Sequence, residues 1–321
     1  EPGPACYGRG GERPTCTDAN LILGYLDPSF FAGGQLVLSP ERARQAIATQ
    51  VATPLGLEVG EAAAGMYRVI NANMAHGVRD ITVKRGLDPR EFPMVVAGGA
   101  AGLHACMLAR ELDIPMIIVP AAASTLCAAG MLLSDFQHDF VRSYVTPLAA
   151  AEPSRFARLV ADMIAEGDSL LGREGVSADR VTHEIALDLR YLKQYHEVTV
   201  VVQRAAIASA DWPRIAASFH AEHDRLYGYE LSAEGTGLEL ITLRVRSVGR
   251  TDKPVLPRVE RAGADASAAR KGNRRAFVPE TGQFADLPVY DGHRLFSGHS
   301  FAGPALIERT DTTILVSASF S

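Results

Sequence analysis

The 321-residue chain has one tryptophan, four cysteines and no long hydrophobic run. Its thiols (Cys6, Cys16, Cys106 and Cys127) include no C-x-x-C pair and are too sparse for a disulfide scaffold. In Cys106 and Cys127, set in apolar helical stretches, the default role is that of a small buried hydrophobe. No segment approaches the ~18–20 apolar residues that cross a bilayer, so no membrane partner is expected. Charge of one sign is not concentrated either: 32 Lys and Arg stand against 37 Asp and Glu, for a formal net charge of -5. Without a basic block, nucleic acid is not an expected partner. These absences point to a soluble protein in the reducing cytoplasm.

Two common phosphate-binding signatures are missing as well. There is no G-x-x-x-x-G-K-[ST] loop. The glycine cluster at 98–102 is spaced G-G-x-x-G, and the region near Val119 lacks the acid that a dinucleotide-binding unit places ~20 residues further on to hold the ribose.

What is present centres on that cluster. A short run at 94–97 enters a turn made only of Gly98, Gly99, Ala100, Ala101 and Gly102, and an apolar helical stretch leaves it towards Leu112. With no large side chain in the turn, its backbone can approach a ligand or a neighbouring segment closely. Amides at the start of the following helix would favour an anion or a polar ring edge. The geometry is that of a nucleotide-sized site.

The opening residues form a Gly/Pro-rich loop ending in Asp18-Ala-Asn20, with no initiator Met. A domain seldom starts inside such a loop, so the chain is expected to be the C-terminal part of a longer polypeptide. Asp18 could hold a metal ion or a ribose hydroxyl; the plainer reading is that it caps a short helix running to about Tyr25. Ser39-Pro40-Glu41 is a helix start. A longer helix is expected from about Glu61 to Arg85, with Met66, Ile70, Met74, Val78 and Ile81 as its apolar stripe. Asn71, Asn73 and His76 lie inside it, where amides are mildly unfavourable, so either a ligand or a solvated face explains them. A buried strand at 115–120 and a helix at 124–136 follow. Strands alternating with helices at this spacing argue for an α/β layer with parallel pairing.

The second half has another texture. A helix starting near Pro153 carries Phe156, Val160, Met163, Ile164 and Leu171 on one stripe. Strict alternation then marks strands at 181–191 and 198–202. Asp211-Trp212-Pro213 starts a helix to about Tyr227, and a strand runs from Leu238 to Val248. An Ala/Gly/Ser-rich stretch at 262–271 reads as a mobile loop before short terminal strands. The expected division is 1–144 and 145–321, the latter α+β and largely β. His196, His220 and His223, with Asp188 or Glu222, invite a metal reading, but histidines on a charged amphipathic helix are common and no metal ligand is assigned. No Ser-His-Asp or Cys-His spacing is present, so no catalytic residue is named.

The order of motifs resembles the hydantoinase A/5-oxoprolinase family, which includes acetone and acetophenone carboxylase subunits. The residues that carry it are Gly3-Pro4-Ala5-Cys6-Tyr7-Gly8, Thr17-Asp18-Ala19-Asn20, Phe31-Ala32-Gly33-Gly34, Gly98-Gly99-Ala100-Ala101-Gly102-Leu103-His104, Asp188-Leu189-Arg190-Tyr191, Tyr227-Gly228-Tyr229 and Gly303-Pro304-Ala305-Leu306-Ile307-Glu308 with Thr312-Thr313. The resemblance implies an actin-like (sugar kinase/Hsp70-type) ATPase lobe followed by the α+β domain. It further implies ATP and Mg²⁺ as cofactors, a hydantoinase B-type partner subunit in an oligomer, and phosphorylation of a lactam, hydantoin or ketone carbonyl. The nucleotide contacts implied are Gly98, Gly99, Ala100 and Gly102, with Asp18 and Asn20 lining the cleft. Two features depart from the family: the aspartate-glycine phosphate loops that lie upstream of the segment matching Gly3 are not in this sequence, and Ala101 interrupts the glycine run. A non-catalytic docking module is the alternative from another class.

Overall fold

The computed structural model describes residues 2–255 and 258–321. The chain divides into two compact units, Glu1–Ala129 with Leu256–Ser321, and Gly130–Val255.

In the first unit, α1 (Cys16–Ile22) starts at Thr15, whose hydroxyl accepts from the Asp18 N–H while the Asp18 carboxylate accepts from the Thr15 N–H. Helix α2 (Pro40–Ile47) has Ser39 as its cap and proline in its first turn, and runs on through a π-type turn into α3 (Thr53–Leu55). The long α4 (Val59–Val83) buries Ala62, Ala63, Tyr67, Asn71 and Ala75. That face is only partly the expected stripe: Met66, Ile70, Met74 and Val78 are half-buried and Ile81 is exposed. Small alanines let α1 approach α4 closely, and that advantage outweighs side-chain size in choosing the buried face.

Strands β1 (Met94–Val95) and β2 (Ile117–Ile118) pair in parallel across α5 (Ala105–Glu111), as the alternation of elements implied. The apolar α6 (Leu126–Leu133) follows, and Cys127 on it is exposed, not buried as expected.

The last stretch of sequence returns to this unit. Strands β7 (Arg270–Val278), β8 (Gln283–Asp291), β9 (Ala305–Glu308) and β10 (Thr313–Val316) form a sheet of order β10-β9-β8-β7, with β8 and β9 parallel. Phe277, Val289, Leu306 and Leu315 share one core with Leu23, Tyr25 and Tyr67, and the Phe277 N–H donates to the Leu23 carbonyl at 2.9 Å. A boundary at 145 follows the change of texture along the chain. In space the segment from 258 completes the first core, because its sheet has an apolar face that only burial there satisfies. Part of the 262–271 stretch is ordered in this way: Ala266 and Ala269 are buried, and Ser300 donates its N–H to the Ala264 carbonyl.

The second unit is an antiparallel sheet of order β3-β6-β4-β5, with β3 (Phe136–Pro147), β4 (Val181–Tyr191), β5 (Val198–Val202) and β6 (Leu238–Gly249). Helix α7 (Pro153–Arg173) sets the expected Phe156, Val160, Met163, Ile164 and Leu171 against it. The short α8 (Arg204–Ala208) leads to α9 (Trp212–Tyr227), which starts at Asp211 and adds Ile215 and Phe219. Strand β3 was not expected from sequence. It is an edge strand with mostly exposed residues, so burial imposes little pattern on it.

Candidate functional site

Helix α1 carries Thr17 and Asn20 three residues apart, so both face the same side. Opposite them stand the backbone of the turn after β1 and the segment between β9 and β10. Together they enclose a cavity of about 300 Å³ bordered by Thr17, Asn20, Phe30, Gly99, Ala100 and Thr312, with Asp27, Glu308 and Asp311 also on its wall. That volume is at the lower end of the ~300–1,000 Å³ of small-molecule sites.

The glycine turn is built for a protein neighbour as much as for a ligand. A methyl group on Gly102 would stand 2.8 Å from the Thr313 carbonyl oxygen, and one on Gly99 2.9 Å from that of Asp311. Gly102 is buried there and does not border the cavity. Gly98 has φ +94° with open space beside it, so backbone conformation accounts for the glycine. The Thr312 hydroxyl donates to the Gly99 carbonyl at 2.9 Å and ties the two walls together.

Three amides in and beside the turn are engaged locally. Gly98 N–H donates to the Ala123 carbonyl at 2.7 Å, and Leu103 and His104 N–H groups donate to Ala100 and Ala101 carbonyls. Of the residues named from sequence, Gly99, Ala100 and Asn20 border the cavity, while Gly98, Gly102 and Asp18 do not.

Asp18 is fully buried. Its carboxylate accepts from the N–H groups of Cys6 at 2.7 Å, Thr15 at 2.8 Å and Ala5 at 3.3 Å, and from the Thr15 hydroxyl at 2.8 Å. With these four donors around it, Asp18 folds the opening loop onto α1, which is the capping role.

Behind Asn20 lies a buried polar relay. His104 is 5% exposed and stacks on Tyr67 at 5.1 Å between ring centroids. Burial pushes its imidazole down to about 4, so the ring is neutral at physiological pH. Its Nδ1 lies 3.0 Å from Asn71 Oδ1 and its Nε2 3.4 Å from Asn20 Nδ2. Asn71 is thus the mid-helix amide with a purpose; Asn73 and His76 are exposed. The Tyr67 hydroxyl donates to the Leu103 carbonyl at 2.6 Å.

The far wall is charged. Glu308, 2% exposed, accepts from Lys271 Nζ at 2.8 Å and pairs with Arg274 at 2.7 Å. Arg274 also reaches Asp27 at 3.0 Å. Burial opposes ionisation of Asp27, but the Ser29 hydroxyl and N–H and the Arg274 guanidinium together outweigh it and hold its carboxyl below the usual range. The Ser124 hydroxyl, which donates to Asp311, acts likewise on that carboxyl. These groups were not foreseen as site residues: they come from separate stretches of the chain, Glu308 and Asp311 more than 200 residues from the glycine turn, and no local spacing links them.

The histidines of the second unit do not assemble a metal site. His223 Nδ1 donates to the Tyr229 carbonyl at 2.8 Å, the Tyr191 hydroxyl and His220 Nδ1 share a hydrogen bond at 2.7 Å, and Asp188 pairs with Arg244 at 2.7 Å. Among the described residues no group of three or more His, Cys, Asp or Glu is placed to hold a metal ion. No helix among them is long and apolar enough to cross a membrane.

Residues 1–140 match the hydantoinase/oxoprolinase family and residues 154–321 its C-terminal domain. The chain is 34% identical to the caprolactamase subunit alpha of Pseudomonas jessenii, over 98% of this chain and 45% of that subunit. The crystal structure of the ATP-dependent caprolactamase from Pseudomonas jessenii superposes with a TM-score of 0.75 at 34% identity, covering 99% of this chain and 46% of its own. Nucleotide-free acetone carboxylase, solved for the mechanism of ATP-dependent acetone carboxylation, gives a TM-score of 0.81 at 26% identity, covering 98% of this chain and 46% of its own. The chain therefore spans less than half the length of these relatives.

Proposed function

The chain belongs to the hydantoinase/oxoprolinase family, and from that premise we propose that it is part of an ATP-dependent subunit that activates a cyclic amide for ring-opening hydrolysis. The observation that carries this reading is the 34% identity to a caprolactamase subunit across 98% of the chain. Caprolactam, hydantoins and 5-oxoproline share a lactam carbonyl. Its nitrogen is a poor leaving group while the carbonyl is unactivated. Transfer of the γ-phosphoryl group of ATP to the carbonyl oxygen, with release of ADP, turns that oxygen into a phosphate ester. Water then adds to the carbon, and the C–N bond breaks with protonation of the departing nitrogen, which opens the ring and leaves an acyl phosphate; a second water hydrolyses that to the carboxylate and free phosphate. The same activated oxygen on a ketone would serve carboxylation, the reaction named for acetone carboxylase.

In this reading the first unit is one lobe of an actin-like ATPase. The adenosine end of Mg²⁺-ATP lies against Gly99, Ala100 and Asn20, with Gly98 and Gly102 shaping the turn that presents them. Phosphoryl transfer of this kind is largely positioning and charge stabilisation. A hydantoinase B-type partner completes hydrolysis, and the complex works in the cytoplasm.

ADP release by the full-length gene product with its partner subunit tests this, against 5-oxoproline, hydantoins, caprolactam and small ketones. Stimulation by a cyclic amide supports the hydrolase. Stimulation by a ketone that requires bicarbonate turns the reading to carboxylation. No nucleotide use with any of them, in a folded sample, would leave a docking role.

A further inference from the structure

The relay behind the cavity fixes which atom of Asn20 is available to a ligand. Asn71 Nδ2 donates to the Tyr67 carbonyl at 2.8 Å. A backbone carbonyl can only accept, so the Asn71 amide is held in one sense, with Oδ1 towards His104. That oxygen, also an acceptor, lies 3.0 Å from His104 Nδ1, so the proton of the neutral ring sits on Nδ1. Nε2 is left with a lone pair, and it lies 3.4 Å from Asn20 Nδ2, which donates to it. The Asn20 amide is therefore also held in one sense. Its Oδ1 is turned from His104 and meets no protein donor among the described residues, although Asn20 is 4% exposed. Asn20 borders the cavity.

We propose that Asn20 Oδ1 accepts a hydrogen bond from an N–H or O–H of the ligand that occupies this cavity, and that His104 and Asn71 are positioning residues that hold it in that sense. An acceptor fixed in this way selects a ligand with a donor at that point. It rejects one presenting a carbonyl oxygen or an unprotonated ring nitrogen there, because two acceptors would face each other with no water between them. Had the relay begun at a rotatable hydroxyl, Asn20 could turn and take either kind. Because it begins at a helix carbonyl, it cannot turn without breaking a bond further back. Two ligands of the proposed reaction carry suitable donors: the nucleoside, with its amine and ribose hydroxyls, and the cyclic amide, with its N–H. The choice of ligand rests on the proposed function; the orientation of the relay does not.

Two measurements on the full-length polypeptide with its partner separate these points. Selective ¹⁵N-histidine labelling reads the tautomer of His104 at pH 7, independently of activity. The expected signature is a protonated Nδ1 and a bare Nε2, changed in Asn20→Asp, where the donor to Nε2 is lost. A protonated Nε2 in the unaltered protein would overturn the proposal, since Asn20 would then present Oδ1 to the ring.

Calorimetry with ADP and with caprolactam gives the second reading. Asn20→Leu weakens binding of one of them about tenfold or more, and His104→Phe, which keeps the ring stacked on Tyr67, weakens the same one. A loss confined to ADP assigns the donor to the nucleoside. A loss confined to caprolactam assigns it to the lactam N–H, and N-methylcaprolactam then binds the Asn20→Leu variant as well as it binds the unaltered protein. Unchanged affinity for both in a folded variant, or no binding of either by the unaltered protein, overturns the assignment.

Discussion

Gly102 faces the carbonyl oxygen of Thr313 so closely that a single methyl group on Gly102 would lie 2.8 Å from it, with Ile314 Cγ1 at 3.0 Å. The contact joins the turn after β1 to the start of β10, residues more than 200 positions apart. Gly102→Ala therefore forces the two walls of the cavity apart and is expected to cost about 1–3 kcal/mol. Gly65, inside α4 with nothing within 4 Å of an added methyl, should behave in the opposite way. Gly65→Ala raises helix propensity at no steric cost and is expected to stabilise by about 0.5–1 kcal/mol. Urea unfolding of both variants checks the pair; equal effects would contradict the packing account of Gly102.

Asp18 distinguishes a folding role from a ligand role. Its carboxylate takes four hydrogen bonds from the loop and the helix start. Asp18→Ala leaves those buried donors unsatisfied, and a loss of about 2–4 kcal/mol is expected. Thermal unfolding without any nucleotide or metal measures it. A variant as stable as the parent but unable to bind ligand would return Asp18 to the cleft.

The same loop sets the reactivity of two cysteines. Burial pushes the Cys6 thiol up, and its hydrogen bond to the Asp18 carboxylate pushes it further, while Cys16 is exposed at the start of α1. Only a thiolate reacts readily with disulfide reagents. Cys16 is therefore expected to be modified in the native state and Cys6 only on unfolding, by peptide mapping after a timed pulse of reagent. In Asp18→Ala, Cys6 should become reactive as the loop opens.

Much of this architecture could be read from the residues. Ser39-Pro40-Glu41, the Phe156-to-Leu171 stripe and the alternation at 181–191 and 198–202 all gave elements where the structure has them, because local sequence sets capping and periodicity. The stripe on α4 was right only in part: Met66, Ile70, Met74 and Val78 are half-buried, with Met66 and Val78 packed against core, but the most buried positions include Ala62, Ala63 and Ala75, whose closeness a hydrophobicity pattern undervalues. Within the site, Asn20, Gly99 and Ala100 were legible from their motifs. Asn71 was legible only as an amide out of place in a helix. Glu308, Asp311 and Thr312 were not legible as cavity residues, since only the packing of the terminal sheet brings them to α1.

Glu308 ties β9 to β7 within that sheet through two cations, Lys271 and Arg274, and Arg274 reaches on to Asp27. Lys271 also sits over the Phe30 ring at 3.9 Å. Removing Lys271 leaves Glu308 paired with Arg274, so Lys271→Met is expected to cost only about 1 kcal/mol. Glu308→Leu leaves Arg274, one of whose Nη atoms already lacks a partner, with a buried charge less well matched, and about 3–5 kcal/mol is expected. Chemical denaturation of the two variants should rank them in that order; the reverse order would mean that Lys271, not Arg274, carries the pairing.

The buried imidazole of His104 gives the protein a pH dependence with a definite sign. In the unfolded chain the ring takes up a proton near the ordinary value of 6.5; in the folded protein burial delays this to about 4. Between those values the unfolded state binds more protons, so stability is complete above about 6.5 and is lost as pH falls towards 4. The full span is worth about 3 kcal/mol, with a slope near 1.4 kcal/mol per pH unit in the middle. Denaturation at pH steps through this window, in the parent and in His104→Phe, isolates the contribution from that of the carboxylates, which is common to both. The difference between the two should shrink or change as pH falls, in favour of the phenylalanine variant. Parallel profiles would mean that His104 protonates in the folded state as readily as in the unfolded chain, and the one-way relay to Asn20 would then be lost below about pH 6.5.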